Sequence, residues 1–224
     1  MRIFPTCLLF ATLSAVPAFA QEAPRPLPPP ALDAPGGTGT PQTAVLSGGC
    51  YWGMQGLFEH VKGVTAVTAG LSGAPQTSNE DDIISRGHKP TEAVQIVFDP
   101  RQITYGRLLQ IFFSVAHDPT EVDRQGPDVG PQYRSVIYYS DDSQQKIAQA
   151  YITQLEAAGA YGAPFATTVE PLKRFRAVDD SQQDYDWQNP KSSYVVNVDD
   201  PKFAALKIIF PTLYRDPPLT YSHG

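Results

Sequence analysis

The sequence predicts an α+β fold: a two-layer sandwich whose mixed sheet has a split βαβ (ferredoxin-like) core, followed by a loop-rich C-terminal segment. Three observations lead there. Short β-prone runs alternate with segments of helical apolar spacing in the order β-α-β-β-α-β. With 42% hydrophobic and 18% charged residues over 224 positions, the composition fits one globular domain plus appendages. It does not fit a disordered, collagen-like or disulfide-rich chain. After Pro171 the periodicity gives way to loops with two short helical stretches.

The elements follow in order. Thr43 to Leu46 is a β-prone run that leads into Ser47-Gly48-Gly49. Tyr51 to Val61 then sets Trp52, Leu57, Phe58 and Val61 at helical spacing, so a strand, a glycine turn and a helix are expected. Val64 to Ser72 and Ala93 to Phe98 read as strands, the second closed by Asp99-Pro100. Thr104 is a candidate N-cap for a helix through Ser114, with Leu108, Leu109, Ile111, Phe112 and Val115 as its apolar face. Ser135 to Tyr139 is a further strand. Asp142 to Ala158 is a long helix with Ile147, Ala150, Tyr151, Ile152 and Leu155 inward, stopped by Gly159. Phe165 to Val169 reads as the last strand, and short helices are expected near Asp180 to Trp187 and Pro201 to Phe210.

The N-terminus differs in character. Met1 to Ala20 carries Arg2, an apolar stretch over Cys7 to Val16, and Ala18-Phe19-Ala20 before Gln21. This pattern predicts a cleavable signal peptide over residues 1–20, and hence export, to a periplasm in a bacterial setting. Residues 21–42 are read as a Pro/Gly-rich linker, with seven prolines between Glu22 and Pro41 and few large apolar residues. The folded domain is placed at residues 43–215, with 216–224 as a tail. Seventeen Lys and Arg against 23 Asp and Glu give a net charge of −6 without a basic run, which argues against nucleic acid or an anionic membrane as partner. Stable membrane insertion after signal cleavage is not expected. An acidic surface and one remaining cysteine point to a soluble monomer.

Signal cleavage removes Cys7 and leaves Cys50 as the mature chain's single cysteine. No internal disulfide can then form, and a lone thiol in an oxidising compartment is either buried or used. Cys50 sits between the glycine turn and the first helix. Unpaired N–H groups and the helix dipole at that position are expected to lower the thiol pKa, the setting of a nucleophile.

Gly49-Cys50-Tyr51-Trp52-Gly53 resembles the Gly-Cys-Phe-Trp-Gly signature of the peptide methionine sulfoxide reductase A family. The resemblance runs through Glu92-Ala93-Val94, His117-Asp118-Pro119 and the block from Arg124 to Ser135, covering nearly all of Thr43 to Arg215. It implies a thiol-dependent reduction of free or peptide-bound methionine-S-sulfoxide, a protein repair under oxidative stress. In that reading Cys50 attacks sulfur and becomes a sulfenic acid, and Glu92 is the acid, kept protonated by partial burial. Tyr133 and Asp128 are the other polar catalytic residues. Gly49, Tyr51 and Trp52 form the substrate-binding side, where the S-methyl group meets an indole face and an apolar wall.

Several residues depart from the family pattern. Tyr51 replaces Phe, and Gln55 replaces a Glu common after the signature. Glu80-Asp81-Asp82 stands where many members have a tyrosine, which leaves Tyr133 as the one recognised oxygen donor. The lead-in to the acid is Gly87-His88-Lys89-Pro90-Thr91-Glu92. No cysteine follows Cys50, so the sulfenic acid must be resolved from outside by a thioredoxin-like protein, a glutaredoxin-like protein or a small thiol. No cofactor is implied. No metal site is expected either, because His60, His88, His117 and His223 are not paired at ligand spacing. The rival readings are a Cys50, His117, Asp118 hydrolase and a non-catalytic module that binds methyl sulfoxides or Met-rich clients.

Overall fold

The computed structural model describes residues 24–37, 39–73 and 90–221. The signal peptide and Cys7, the acidic run Glu80 to Asp82, and Gly87 to Lys89 of the lead-in lie outside them.

A six-stranded mixed sheet forms the frame. Its strands are β1 (Gln42–Ser47), β2 (Val64–Ser72), β3 (Thr91–Phe98), β6 (Val136–Tyr139), β7 (Thr168–Pro171) and β8 (Phe175–Ala177). Across the sheet they run β7-β6-β1-β3-β2-β8. β3 lies antiparallel between β1 and β2, and β1 antiparallel between β3 and β6. β7 pairs parallel to β6. The helix α1 (Tyr51–Glu59) therefore crosses from β1 to its parallel partner β2, skipping the place that β3 fills. A two-stranded hairpin of β4 (Arg124–Gln125) and β5 (Asp128–Val129) stands apart.

One sheet face carries the main core. Alternation along β1 and β3 aims Ala44, Leu46, Val94, Ile96 and Phe98 at Leu57 and Phe58 of α1 and at two further helices. These are α2 (Tyr105–Ile111) and α3 (Asp142–Ala157). Thr104 caps α2 by accepting the Arg107 N–H at 3.2 Å, and Asp141 caps α3 by accepting that of Gln144 at 2.9 Å. Instead of continuing as α-helix to Ser114, the chain after α2 widens into a π-turn over Phe112–Ala116, with every side chain buried. The opposite sheet face is smaller: Val45, Ala93, Val136 and Tyr138 are covered by Leu172 and Phe175. The last expected strand starts three residues later than the β-propensity suggests, at Thr168, and β8 and the β4–β5 hairpin were not foreseen. All three are edge or loop pairings too short for an alternation signal.

The reading of residues 21–42 as a free spacer is corrected for 24–37, which lie along the helices. The Arg25 N–H donates to Ser114 O at 2.8 Å, and Leu27 is only 8% exposed. Gln110, Tyr151 and Gln154 donate to the carbonyls of Leu27, Pro28 and Pro29 at 2.6, 2.7 and 3.0 Å. The Arg25 guanidinium lies 4.5 Å over the Tyr161 ring. Prolines remove N–H donors but hold the chain extended with its carbonyls turned outward. Helix side chains with spare donors grip those carbonyls, so a segment too apolar-poor to fold alone is held by its neighbours.

Leu27 provides the test. Leu27→Ala is expected to lower unfolding stability by about 2 kcal/mol in urea titrations, the cost of emptying a buried leucine site. A solvated spacer would show no change.

Candidate active site

The nucleophile's position is set by crowding. Gly49 has φ +104°, and a Cβ there would lie 2.9 Å from the Gln125 side chain. A Cβ on Gly48 would meet Phe112 at 2.8 Å and His117 at 3.0 Å. Gln125 is itself fixed, accepting the Asp118 N–H and donating to the Asp118 carbonyl, both at 2.8 Å. The polar loop thus presses on the turn that ends at Cys50, the N-cap residue of α1.

Glu92 lies across the sheet from that turn. Its Oε2 accepts the Tyr51 N–H at 3.0 Å, a carboxylate on the first free amide of α1 beside the cysteine. The Ser47 hydroxyl lies 2.6 Å from the Glu92 carbonyl and 2.9 Å from that of Arg134, so β1 fixes the acid strand and the Tyr133 loop together.

Trp52 is packed in a ring of tyrosines. Tyr185 stacks on its indole at 3.7 Å and 9°. Tyr51 and Tyr194 stand edge-on at 6.0 and 6.1 Å. Tyr194 donates its hydroxyl to Asp128 Oδ2 at 2.5 Å. The structure thus gathers Gly49, Cys50, Tyr51, Trp52, Glu92, Asp128 and Tyr133 around one end of α1. Burial, followed by the charges of Glu92, Asp128 and Cys50, raises the Tyr133 phenol pKa, so it stays a hydrogen-bond donor at neutral pH.

Sequence reasoning missed Tyr185 and Tyr194. Both lie in the aperiodic C-terminal segment, Tyr185 opening the short helix α4 (Tyr185–Gln188). What seats Tyr185 is a pair of buried amides. Gln183 bonds both ways with the Ala69 backbone of β2, at 2.9 Å each. Its Oε1 also accepts from Gln55 of α1 at 3.0 Å, and Gln55 accepts the Asp184 N–H at 3.0 Å. The family departure at Gln55 therefore has a local reason: an amide donates and accepts in one buried place, which a carboxylate cannot do.

The expectation of a lowered thiol pKa at Cys50 is corrected. Burial, then the charge of Glu92, and further those of Asp199 and Asp128, push the thiol well above its ordinary value. The backbone N–H of Trp52 pulls the other way and does not prevail. Free Cys50 is a protonated thiol at neutral pH. His117 does not serve it. Both imidazole nitrogens are engaged, Nδ1 with Phe112 O at 3.2 Å and Nε2 with Ser135 Oγ at 2.7 Å. Full burial holds its pKa down at about 3, so the ring is neutral and the hydrolase arrangement is not formed. Among the described residues no group of His, Cys, Asp and Glu could hold a metal ion, and no helix is long and apolar enough to cross a membrane.

The sequence model of the peptide methionine sulfoxide reductase family matches residues 42–210. A curated relative, peptide methionine sulfoxide reductase MsrA 2 of Mesorhizobium japonicum, is 45% identical over 80% of this chain and 92% of its own. The MsrA 2 of Synechocystis is 45% identical over 72% and 76%. Among solved structures, methionine sulfoxide reductase A of Corynebacterium diphtheriae aligns with TM-score 0.56 at 31% identity, over 76% of this chain and 87% of that one. Reduced Mxr1 of Saccharomyces cerevisiae gives 0.60 at 27% identity, over 68% and 87%.

The His117 environment has a measurable consequence. Its folded pKa of about 3 lies below the ordinary 6.5, so its contribution to stability is complete above pH 6.5 and is lost as pH falls through 3. His117→Gln is expected to remove about one proton's slope, ~1.4 kcal/mol per pH unit, from the acid limb of a stability-against-pH curve.

Proposed function

The chain belongs to the peptide methionine sulfoxide reductase A family, and on that premise we propose that it works with Cys50 as its sole redox cysteine. It is an enzyme that reduces methionine sulfoxide to methionine at the expense of thiols. The observation that carries the one-cysteine reading is Cys50 at the N-cap of α1, with Glu92 on the adjoining amide and the Trp52 ring next in the chain.

The sulfoxide oxygen must be protonated or strongly hydrogen-bonded before its sulfur accepts a nucleophile. Glu92 and the Tyr133 hydroxyl are the groups placed to protonate or hydrogen-bond the oxygen at that point. Tyr194 adds a second phenol beside Trp52, with its hydroxyl donated to Asp128. The S-methyl group packs on the indole face not covered by Tyr185, with Tyr51 and Tyr194 as walls. Cys50 sulfur bonds to the sulfoxide sulfur, the protonated oxygen then passes to Cys50 sulfur as the S–O and S–S bonds to the methionine sulfur break, and methionine leaves. The net exchange is methionine sulfoxide plus Cys–SH to methionine plus Cys–SOH, with the thiol proton retained on the sulfenic hydroxyl.

No cysteine follows Cys50, so turnover uses two external thiols. The first forms a mixed disulfide with Cys50 and releases water. The second restores the thiol and leaves as the oxidised donor. A thioredoxin-like or glutaredoxin-like protein or a small thiol fits that role. The Met1 to Ala20 pattern supports export to the periplasm, and the acidic composition supports a monomer. The strand order, with β3 between β1 and β2 and β1 between β3 and β6, supports reading the central sheet as the split βαβ core. The binding-module alternative has no observation in its favour, since thiol, acid and methyl wall are assembled together.

The first experiment is a single turnover without reductant, with each sulfoxide epimer offered separately. One methionine formed and one thiol lost per chain, from the S epimer alone, is expected, and Cys50→Ser should abolish both. A folded protein that forms no methionine and keeps its thiol would overturn the reading. Glu92→Gln is expected to slow the same single turnover about a hundredfold, most at high pH where protons are scarcest. Unchanged rates there would remove Glu92 from the reaction.

A further inference from the structure

After α5 (Asp200–Ile209) the chain folds back over the end of α1 that lies away from Cys50. Tyr214 forms an isolated antiparallel bridge with Val61, and its ring lies 5.1 Å from that of His60 at 10°. The Arg215 N–H donates to His60 O at 2.7 Å, and His60 Nδ1 is 2.9 Å from Arg215 O. Further on, the Leu219 N–H donates to Glu59 O at 3.0 Å, with the Leu219 side chain packed on the main core. The last carbonyls of a helix have no partner within it, and here the returning chain supplies their donors.

The same stretch reaches the residue before Tyr185. The Tyr221 N–H donates to both carboxylate oxygens of Asp184, at 2.9 and 3.1 Å. The Asp184 N–H in turn donates to Gln55 Oε1 of α1 at 3.0 Å. Asp184 has φ +52°, a left-handed conformation that a side-chain-bearing residue keeps only where its surroundings over-determine it. Its surroundings do so from two sides, the returning chain on the carboxylate and α1 on the backbone. The next residue is Tyr185, whose ring lies flat on the Trp52 indole at 3.7 Å. Any rotation of the Asp184 backbone is carried directly into that ring.

We propose that residues 214–221 are a latch on the methyl slot, and that Asp184 is the positioning residue through which the latch holds Tyr185 flat against Trp52. The proposal rests on the reading of the Trp52 indole as the wall for the S-methyl group.

Its physical sense lies in what backs the indole. Tyr51 and Tyr194 meet Trp52 edge-on, whereas Tyr185 covers a whole face. A methyl group gains from an aromatic face through many weak contacts, and these are lost over a fraction of an ångström, so a ring free to tilt holds it poorly. The glycine turn and the Ser47 bonds that place Cys50 and Glu92 do not pass through the latch. The latch therefore acts on sulfoxide affinity more than on the chemical step. Glu59, the last residue of α1, is pushed up to about 10 by burial and then by Asp184, so it is protonated there and sets no second charge against the Asp184 carboxylate.

The test cuts one bond from either end in the full mature chain. Tyr221→Pro removes the backbone donor, Tyr221→Ala keeps it, and Asp184→Gly removes the acceptor while allowing the same φ. Trp52 emission is read in a Trp187→Phe background, since these are the chain's two tryptophans. Tyr221→Pro and Asp184→Gly are each expected to move that emission to longer wavelength. Each should also raise about fivefold the sulfoxide concentration giving the half-maximal single-turnover rate, with the saturated rate within about twofold of wild type. The double variant should be no more impaired than either alone, and Tyr221→Ala should match wild type. In a folded Tyr221→Pro protein, an unshifted emission or an unchanged half-saturation overturns the proposal, as does a Tyr221→Ala protein equally impaired. If Tyr221→Pro does not fold, Asp184→Gly decides by the same measurements. Trp52 emission does not depend on turnover, so it decides the latch even if the wild type forms no methionine, a result that would count against the reductase reading alone.

Discussion

The turn that carries Cys50 has no spare volume, and much of the rest of the site depends on that. Gly48 is pressed by Phe112 and His117 and Gly49 by Gln125, so the path from β1 into α1 admits neither side chains nor slack. The parts that press on it are the π-turn after α2 and the loop that continues to Tyr133. His117 joins them, its ring tilted 30° and 4.0 Å from that of Phe112, and bonded to Ser135 at the mouth of β6. A buried neutral histidine so engaged is a strut. The same close packing explains why the N-terminal segment matters to the site: Arg25 and Leu27 are bonded to Ser114 and Gln110, on the far side of the same turn.

The central sheet and its three long helices were legible because their signals are periodic and local. β1 and β2 are β-prone runs ending in consecutive buried residues, β3 alternates along part of its length, Thr104 and Asp141 carry their capping oxygens, and Gly159 ends α3 with φ +62°. What could not be read is held by single long-range contacts. Tyr185 reaches Trp52 because Gln183 bonds to a backbone 114 positions earlier, a pairing that no window along the chain reveals. The docking of residues 24–37 is of the same kind. Composition described the segment's inability to fold by itself correctly, but the donors that hold it belong to α2 and α3.

The site residues divide along the same line. Gly49, Cys50, Tyr51 and Trp52 are contiguous, and Glu92 begins a recognisable strand, so a motif finds them. Tyr194 was missed because its value lies in a contact, the hydroxyl on Asp128, rather than in its neighbours. The ionisation of Cys50 was misread for a related reason. Position at a helix N-terminus lowers a thiol pKa only where acids are absent. Here Glu92, Asp128 and Asp199 converge from three separate parts of the chain on a half-buried sulfur, and their sum with burial exceeds one helix terminus.

That outcome suits a reductase with one cysteine. A permanent thiolate is the form that oxidants and disulfides attack. In the oxidising compartment proposed for this protein, a thiolate at Cys50 would be consumed by adventitious oxidation, and no cysteine follows it in the sequence to rescue it. A thiol held neutral by burial and by the nearby acids is slow toward such reagents. The groups that look unfavourable for a nucleophile therefore keep Cys50 out of the form that such reagents attack. Cys50 is half-buried, so the sulfenic acid proposed to form there lies open to the external thiol proposed to resolve it.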